Sequence, residues 1–202
     1  MKVLEFFLSL SVFLALSGCS IAPFSSTTSG RTAGAGNFQF DIGNVNNNFN
    51  LRMGTGLSPN FDMGFVMEFG SLATTALFAK YAITQDAKGP SLAMEIGYGA
   101  SDTTSFSYAA LVGSLAFSKN FELFAAPRIN SIQTDSADVD LGKNYGNFSL
   151  TEYDAVYLQL AYGFNIFFNK NSGLSIYSTY FNGENIETTS DSTFGANFLF
   201  NI

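Results

Sequence analysis

Phe49-Asn50-Leu51-Arg52-Met53-Gly54-Thr55-Gly56-Leu57, then Ser58-Pro59-Asn60, then Phe61-Asp62-Met63-Gly64-Phe65-Val66-Met67-Glu68-Phe69-Gly70, is the stretch that decides the fold. In both halves one face is set by every second position: Phe49, Leu51, Met53, Thr55 and Leu57, then Phe61, Met63, Phe65, Met67 and Phe69, all bulky but Thr55. Between them stand small or polar residues, among them Arg52, Gly54, Asp62, Gly64 and Glu68. Side chains alternate between faces only in an extended chain, so each half is a strand with one apolar face. Pro and Asn supply the turn that reverses it.

The same alternation continues in both directions. Phe38, Phe40 and Ile42 oppose Gln39, Asp41 and Gly43; Leu92, Met94, Ile96 and Tyr98 oppose Ala93, Glu95, Gly97 and Gly99. The longest stripe is Val156, Leu158, Leu160, Tyr162, Phe164 and Ile166. Ten strands are predicted, at about 37 to 45, 48 to 57, 61 to 70, 74 to 84, 91 to 100, 104 to 118, 121 to 134, 153 to 168, 173 to 182 and 191 to 202. The periodicity slips at 71 to 84 and 104 to 118, which keeps a count of eight open. Pro127 fits only at a bulge or an unpaired position.

Alternation by itself does not say whether the apolar face meets lipid or the inside of a soluble barrel. Composition and connections say more. Charged residues make up 12% of the chain and aromatics 16%, with 23 phenylalanines and no tryptophan. A soluble domain carries about 25% charge. No apolar stretch is long enough for a membrane helix, and a closed barrel is the other structure that satisfies its backbone in lipid. Connections at 58 to 60, 119 to 120 and 169 to 172 are short, while the longest, about 135 to 152 and 183 to 190, fall at the opposite end. An even strand number with short turns at one end and long loops at the other is the pattern of an all-β, antiparallel, up-and-down transmembrane barrel. A net charge of −7 excludes the basic footprint of a nucleic-acid binder.

The two ends carry resemblances to known motifs. Lys2, an apolar run from Phe6 to Leu16 and small residues before Cys19 form a secretory signal, too short to span a membrane. Leu16-Ser17-Gly18-Cys19 resembles the bacterial lipobox, which implies cleavage before Cys19 and a covalent lipid on it. Ser20 is compatible with export to the outer membrane in that family. At the other end Thr193-Phe194-Gly195-Ala196-Asn197-Phe198-Leu199-Phe200 resembles the β-signal by which outer-membrane barrels are recognised for insertion, Thr193, Gly195, Phe198 and Phe200 being its marked positions. The chain departs from that pattern by running on to Asn201 and Ile202.

Together the ends resemble an outer-membrane β-barrel lipoprotein of a Gram-negative bacterium. The resemblance implies residues 1–18 as signal peptide, 19–36 as a lipidated flexible tether, and 37–202 as the barrel. It implies contact with outer-membrane lipid and lipopolysaccharide, passage through the barrel-assembly and lipoprotein-sorting machinery, and no cofactor beyond the lipid. A structural or surface-interaction role in the envelope is the first expectation. A narrow channel or transporter for small solutes or hydrophobic molecules is the second. The third is a lipid-tethered soluble barrel that binds a hydrophobic ligand, its bulky stripes facing inward.

Catalysis has little to work with. The chain has no histidine, and its single cysteine is the lipidation candidate. That removes Ser-His-Asp and Cys-His chemistry and the usual zinc sites. A carboxylate pair could serve glycoside chemistry, but none stands at a telling spacing. The face opposite the apolar stripes carries Asp41, Arg52, Asp62, Glu68, Lys80, Glu95, Glu122 and Arg128, which a barrel turns into its lumen. There they form either an interior network that fills the barrel or the lining of a thin pore. The inner-face glycines, Gly43, Gly54, Gly56, Gly64, Gly97, Gly99, Gly163 and Gly195, relieve strand curvature or crowding. Asp135, Asp138 and Asp140 are a weak calcium candidate in an acidic loop.

Overall fold

A computed structural model describes residues 25–45, 48–70, 73–86, 88–101, 104–134, 137–140, 147–150, 153–183 and 192–202. Twelve strands are present among them: β1 (Phe38–Val45), β2 (Asn48–Ser58), β3 (Phe61–Phe69), β4 (Ala73–Thr84), β5 (Pro90–Ala100), β6 (Thr104–Ala116), β7 (Phe121–Thr134), β8 (Ala137–Asp140), β9 (Asn147–Leu150), β10 (Tyr153–Asn169), β11 (Ser172–Gly183) and β12 (Ser192–Asn201). Ten of these close one antiparallel barrel, each paired with its neighbour in sequence order. The pair β8 and β9 forms a small hairpin of its own between β7 and β10. The ladder closes where β1 meets β12, from Gln39 opposite Asn201 to Val45 opposite Gly195. No edge is left in the ring, so every wall strand finds partners on both sides.

Two ends can be named. The turn end carries the short connections β2–β3, β4–β5, β6–β7 and β10–β11, and it holds Ile202, whose backbone exchanges two 2.8 Å hydrogen bonds with Phe38. The loop end carries the remaining connections, including the long ones after β7 and β11.

The wall is apolar outside. Leu77, Tyr98 and Val156 are 69%, 64% and 63% exposed, and the other bulky stripe residues follow them outward. This orientation removes the soluble barrel with a hydrophobic ligand inside, because the bulk that would line its cavity faces away from it. The outward residues are also sorted by height. Phe38, Tyr81, Phe117, Phe168 and Phe200 ring the turn end, while Phe49, Phe69, Tyr98, Tyr180 and Phe194 ring the loop end. Between them lie Leu77, Ile96 and Leu111, with Tyr162 among them. Pro127 points outward in β7, and the β6–β7 ladder breaks opposite it, passing from Ala110–Arg128 to Gly113–Ala125.

Inside, the barrel is packed by side chains of both kinds. Val66, Phe78, Phe106, Tyr108, Ile132, Tyr157 and Phe181 form one buried cluster. Phe124 and Tyr177 anchor a second with Val45 and Val112. Small residues opposite make room for the rings: a Cβ added to Gly97 would stand 2.3 Å from the Tyr108 ring, and one added to Gly195 would stand 2.5 Å from Tyr177.

Candidate functional site

The lumen is the candidate site, and a stretch of the chain itself lies in it. Ser25, Ser26, Thr27 and Thr28 are all buried, Thr28 to 2% exposure, although they belong to no strand. The sequence reads 19–36 as a lipidated flexible tether. The described part of it, 25–36, instead runs down the inside from the loop end to the turn end. Two acids of one strand mark its course: Glu68, one residue from the loop end of β3, accepts the Ser25 N–H, and Asp62, one residue from its turn end, accepts the Ala33 N–H at 2.9 Å.

Between those points the wall holds the segment by backbone and side chain together. Arg128 donates to the Ser25 carbonyl at 3.0 Å, Asn165 to that of Thr28 at 2.7 Å, and the Lys80 ammonium to that of Arg31. The Gly30 N–H donates to the Ser114 hydroxyl at 3.0 Å. Side chains add as many contacts: the Thr27 hydroxyl donates to Glu95, Ser29 donates to Glu122 at 3.2 Å, Arg31 donates to the Ser91 hydroxyl at 3.4 Å and lies 3.7 Å from Glu122, and the Thr32 hydroxyl reaches the Pro59 carbonyl at 2.7 Å and the Gln85 side-chain oxygen at 2.9 Å. The small residues of Ser25-Ser26-Thr27-Thr28-Ser29-Gly30 follow from the space. At Gly30 a Cβ would meet the Ser91 carbonyl oxygen at 2.7 Å and that of Val112 at 2.9 Å.

The chain then turns back at the rim to begin β1. Gly34 and Gly36 have φ of 84° and 79°, a left-handed conformation that glycine adopts without steric cost. Gly36 donates to the Gly56 carbonyl at 2.8 Å, and Ala35 bridges to Gly56. Beside Arg31 a cavity of about 270 Å³ opens at this end, reaching up to Thr28 and Asn165.

All eight charged residues expected in the lumen are buried there. They do not form one ring. Arg52 and Glu95 pair directly, through hydrogen bonds of 3.2 and 2.7 Å, and Tyr108 donates to the same carboxylate at 3.1 Å. Asp41 stands opposite Arg52 in the β1–β2 register and accepts from Gln39 at 3.2 Å. Glu68, Asp62, Lys80, Glu122 and Arg128 each reach the luminal segment, so the network that fills the barrel includes the chain's own N-terminal part. Burying charge in this way is tolerable because each charge meets an opposite charge or a hydrogen-bonding group.

Sequence reasoning missed the aromatic partners of these cations. The Arg52 guanidinium lies 3.6 Å from the centroid of the Phe78 ring, and that of Arg128 lies 4.7 Å from Tyr108. The signal was present in the inner-face glycines, since a glycine facing a crowded interior marks where a ring must fit.

The other candidates fall elsewhere. Thr193 and Gly195 face inward on β12, and Phe198 and Phe200 face outward on it, all within the strand that closes the ring on β1. Cys19 and Asp135 lie outside the described residues. Asp138 and Asp140 belong to β8, and no group of three acids or other metal ligands converges among the described residues.

No protein-family description matches the chain, and no curated protein does. Among solved structures it is similar to the N-terminal β-barrel domain of Pseudomonas aeruginosa OprF, at 10% identity and a TM-score of 0.38, over 84% of this chain and 99% of that one. It is also similar to the KdgM porin: in complex with disordered oligogalacturonate, identity is 8% and the TM-score 0.42, over 81% of this chain and 98% of that one. Alone, KdgM gives 6% and 0.40 with the same coverage.

Proposed function

We propose that this chain is an integral outer-membrane β-barrel lipoprotein of a Gram-negative bacterium, acylated at Cys19, that serves the envelope as a closed structural and surface-interaction component. The observation that carries the reading is the outer wall, an apolar belt around a closed barrel with most of its exposed aromatics gathered in rings toward the two ends. Lipid chains match such a belt, and the headgroup zones on either side match the rings. In water the same wall would be an apolar patch far larger than a soluble monomer tolerates.

Orientation follows from the connections. Barrels of this class keep short turns in the periplasm and long loops outside, which sets the turn end inward and the loop end outward. Ser25 sits at the loop end, and Cys19 precedes it by six residues, a reach of about 20 Å when fully extended. On this reading the acyl chains join the outer leaflet beside lipopolysaccharide. The barrel-assembly and lipoprotein-sorting machineries are the partners that deliver it there.

The test uses Cys19→Ser behind a conventional signal peptide, with membranes washed in alkaline carbonate and urea. Protein that stays in the membrane and shifts its mobility on heating in detergent supports the reading. Folded protein in the wash overturns it. A second reading, a narrow open channel, draws on the charged lumen. Steady ion current through the full chain in planar bilayers favours that reading, and silence favours the closed one.

A further inference from the structure

We propose that the lumen is a binding channel for an extended, small-residue polypeptide, occupied in this protein by its own residues 25–33, and that the barrel passes cations when that occupant leaves. The inference rests on the reading of the chain as a membrane barrel and adds a ligand class and a gate to it.

Three observations point the same way. First, the wall takes hold of the segment's backbone along its length. Glu68, Asp62 and Ser114 take N–H groups from the segment, and Arg128, Asn165 and Lys80 give hydrogen bonds to its carbonyls. Contacts of that kind accept any sequence thin enough to pass. They come from five different strands, so they describe a tube rather than a patch.

Second, size sets the selection. The space at Gly30 admits no Cβ, and the residues above it are serine and threonine.

Third, the segment is not part of the wall. The ladder from β1 round to β12 is complete without it, and among the described residues its one bridge to a strand is Ala35 to Gly56, below the filled stretch. Apolar burial contributes little to holding a run of serines and threonines. The occupant is held by polar contacts that water or another peptide backbone can replace.

Vacating the lumen removes Arg31 and leaves five acids, Asp41, Asp62, Glu68, Glu95 and Glu122, facing Arg52, Lys80 and Arg128. A narrow passage with that balance favours cations.

The experiment compares the full chain with Gly30→Phe in planar bilayers under a potassium chloride gradient. The full chain is expected to be silent. Gly30→Phe cannot seat its segment and is expected to open channels whose reversal potential has the sign of cation selectivity. A synthetic peptide of residues 25–33 is then expected to close them. Should Gly30→Phe fail to fold, a full chain with a protease site placed between Gly34 and Asn37 and cut after insertion makes the same comparison. Either form, heat-modifiable but silent, overturns the gate. Channels that the peptide leaves open overturn the binding channel. Loss of the heat-modifiable species from the unaltered chain overturns the membrane reading instead, so the two failures are distinguishable.

Discussion

Arg52 on β2 and Glu95 on β5, with β3 and β4 between their strands, meet inside the barrel through two hydrogen bonds of 3.2 and 2.7 Å. The pair ties together strands that share no ladder. Breaking one side of a buried pair leaves a charge without its partner, which costs about 3–5 kcal/mol. Arg52→Ala is therefore expected to lose stability on that scale. The combined Arg52→Leu and Glu95→Leu variant is expected to recover much of it. Urea unfolding followed by loss of the heat-modifiable band measures both, and equal loss in the single and double variants would show that the pair is not the cause.

Ile96 lies on the outward face near the middle of β5, 58% exposed. If lipid surrounds it, Ile96→Arg is expected to destabilise the barrel by about 2–4 kcal/mol. Reversible unfolding from lipid vesicles reads the difference. A neutral result would argue that the belt does not meet hydrocarbon.

Gly97 and Tyr108 are cross-strand neighbours whose contact leaves no room for a methyl group. Gly97→Ala is expected to cost about 1–3 kcal/mol through overpacking. The same substitution made with Tyr108→Leu is expected to cost less than the two changes added separately. Unfolding midpoints of the four proteins form the cycle that decides it.

Cys19→Ser is expected to abolish incorporation of radiolabelled fatty acid while leaving the barrel in the membrane. An epitope placed directly before Ser25 is expected to be reached by antibody on intact cells, as is one placed at 184 to 191. If the first epitope is reached only after the outer membrane is opened, the proposed orientation of the segment is wrong.

Much of the wall was legible from sequence. All ten barrel strands lie within about two residues of their predicted ends, because a period of two is imposed by geometry and outward-facing bulk makes it visible. The slip at 104 to 118 has a physical cause. In β6 Phe106, Tyr108 and Val112 turn inward while Ser107 and Ala109 turn outward, so the usual contrast between faces is inverted along part of the strand. Asp41, Arg52, Asp62, Glu68 and Glu95 were legible as luminal because each falls on the small side of a stripe; Lys80, Glu122 and Arg128 share their inner face with Phe78 and Phe124, which blurs the contrast there. The luminal segment was not legible: a run of serine, threonine and glycine suits a solvated tether and a narrow tube equally well, and only the acids and amides waiting on the wall tell them apart.

Because residues 25–36 pass down the lumen and continue directly into β1, the ring is closed around its own chain. Topology then restricts the order of assembly. Either the β1–β12 seam shuts last, with the segment already lying across the open sheet, or the free N-terminus must be drawn through a finished tube. A folded domain fused ahead of Ser25 blocks the second route and leaves the first, so the rate at which such a fusion matures reports whether the ring closes around the segment or is threaded by it.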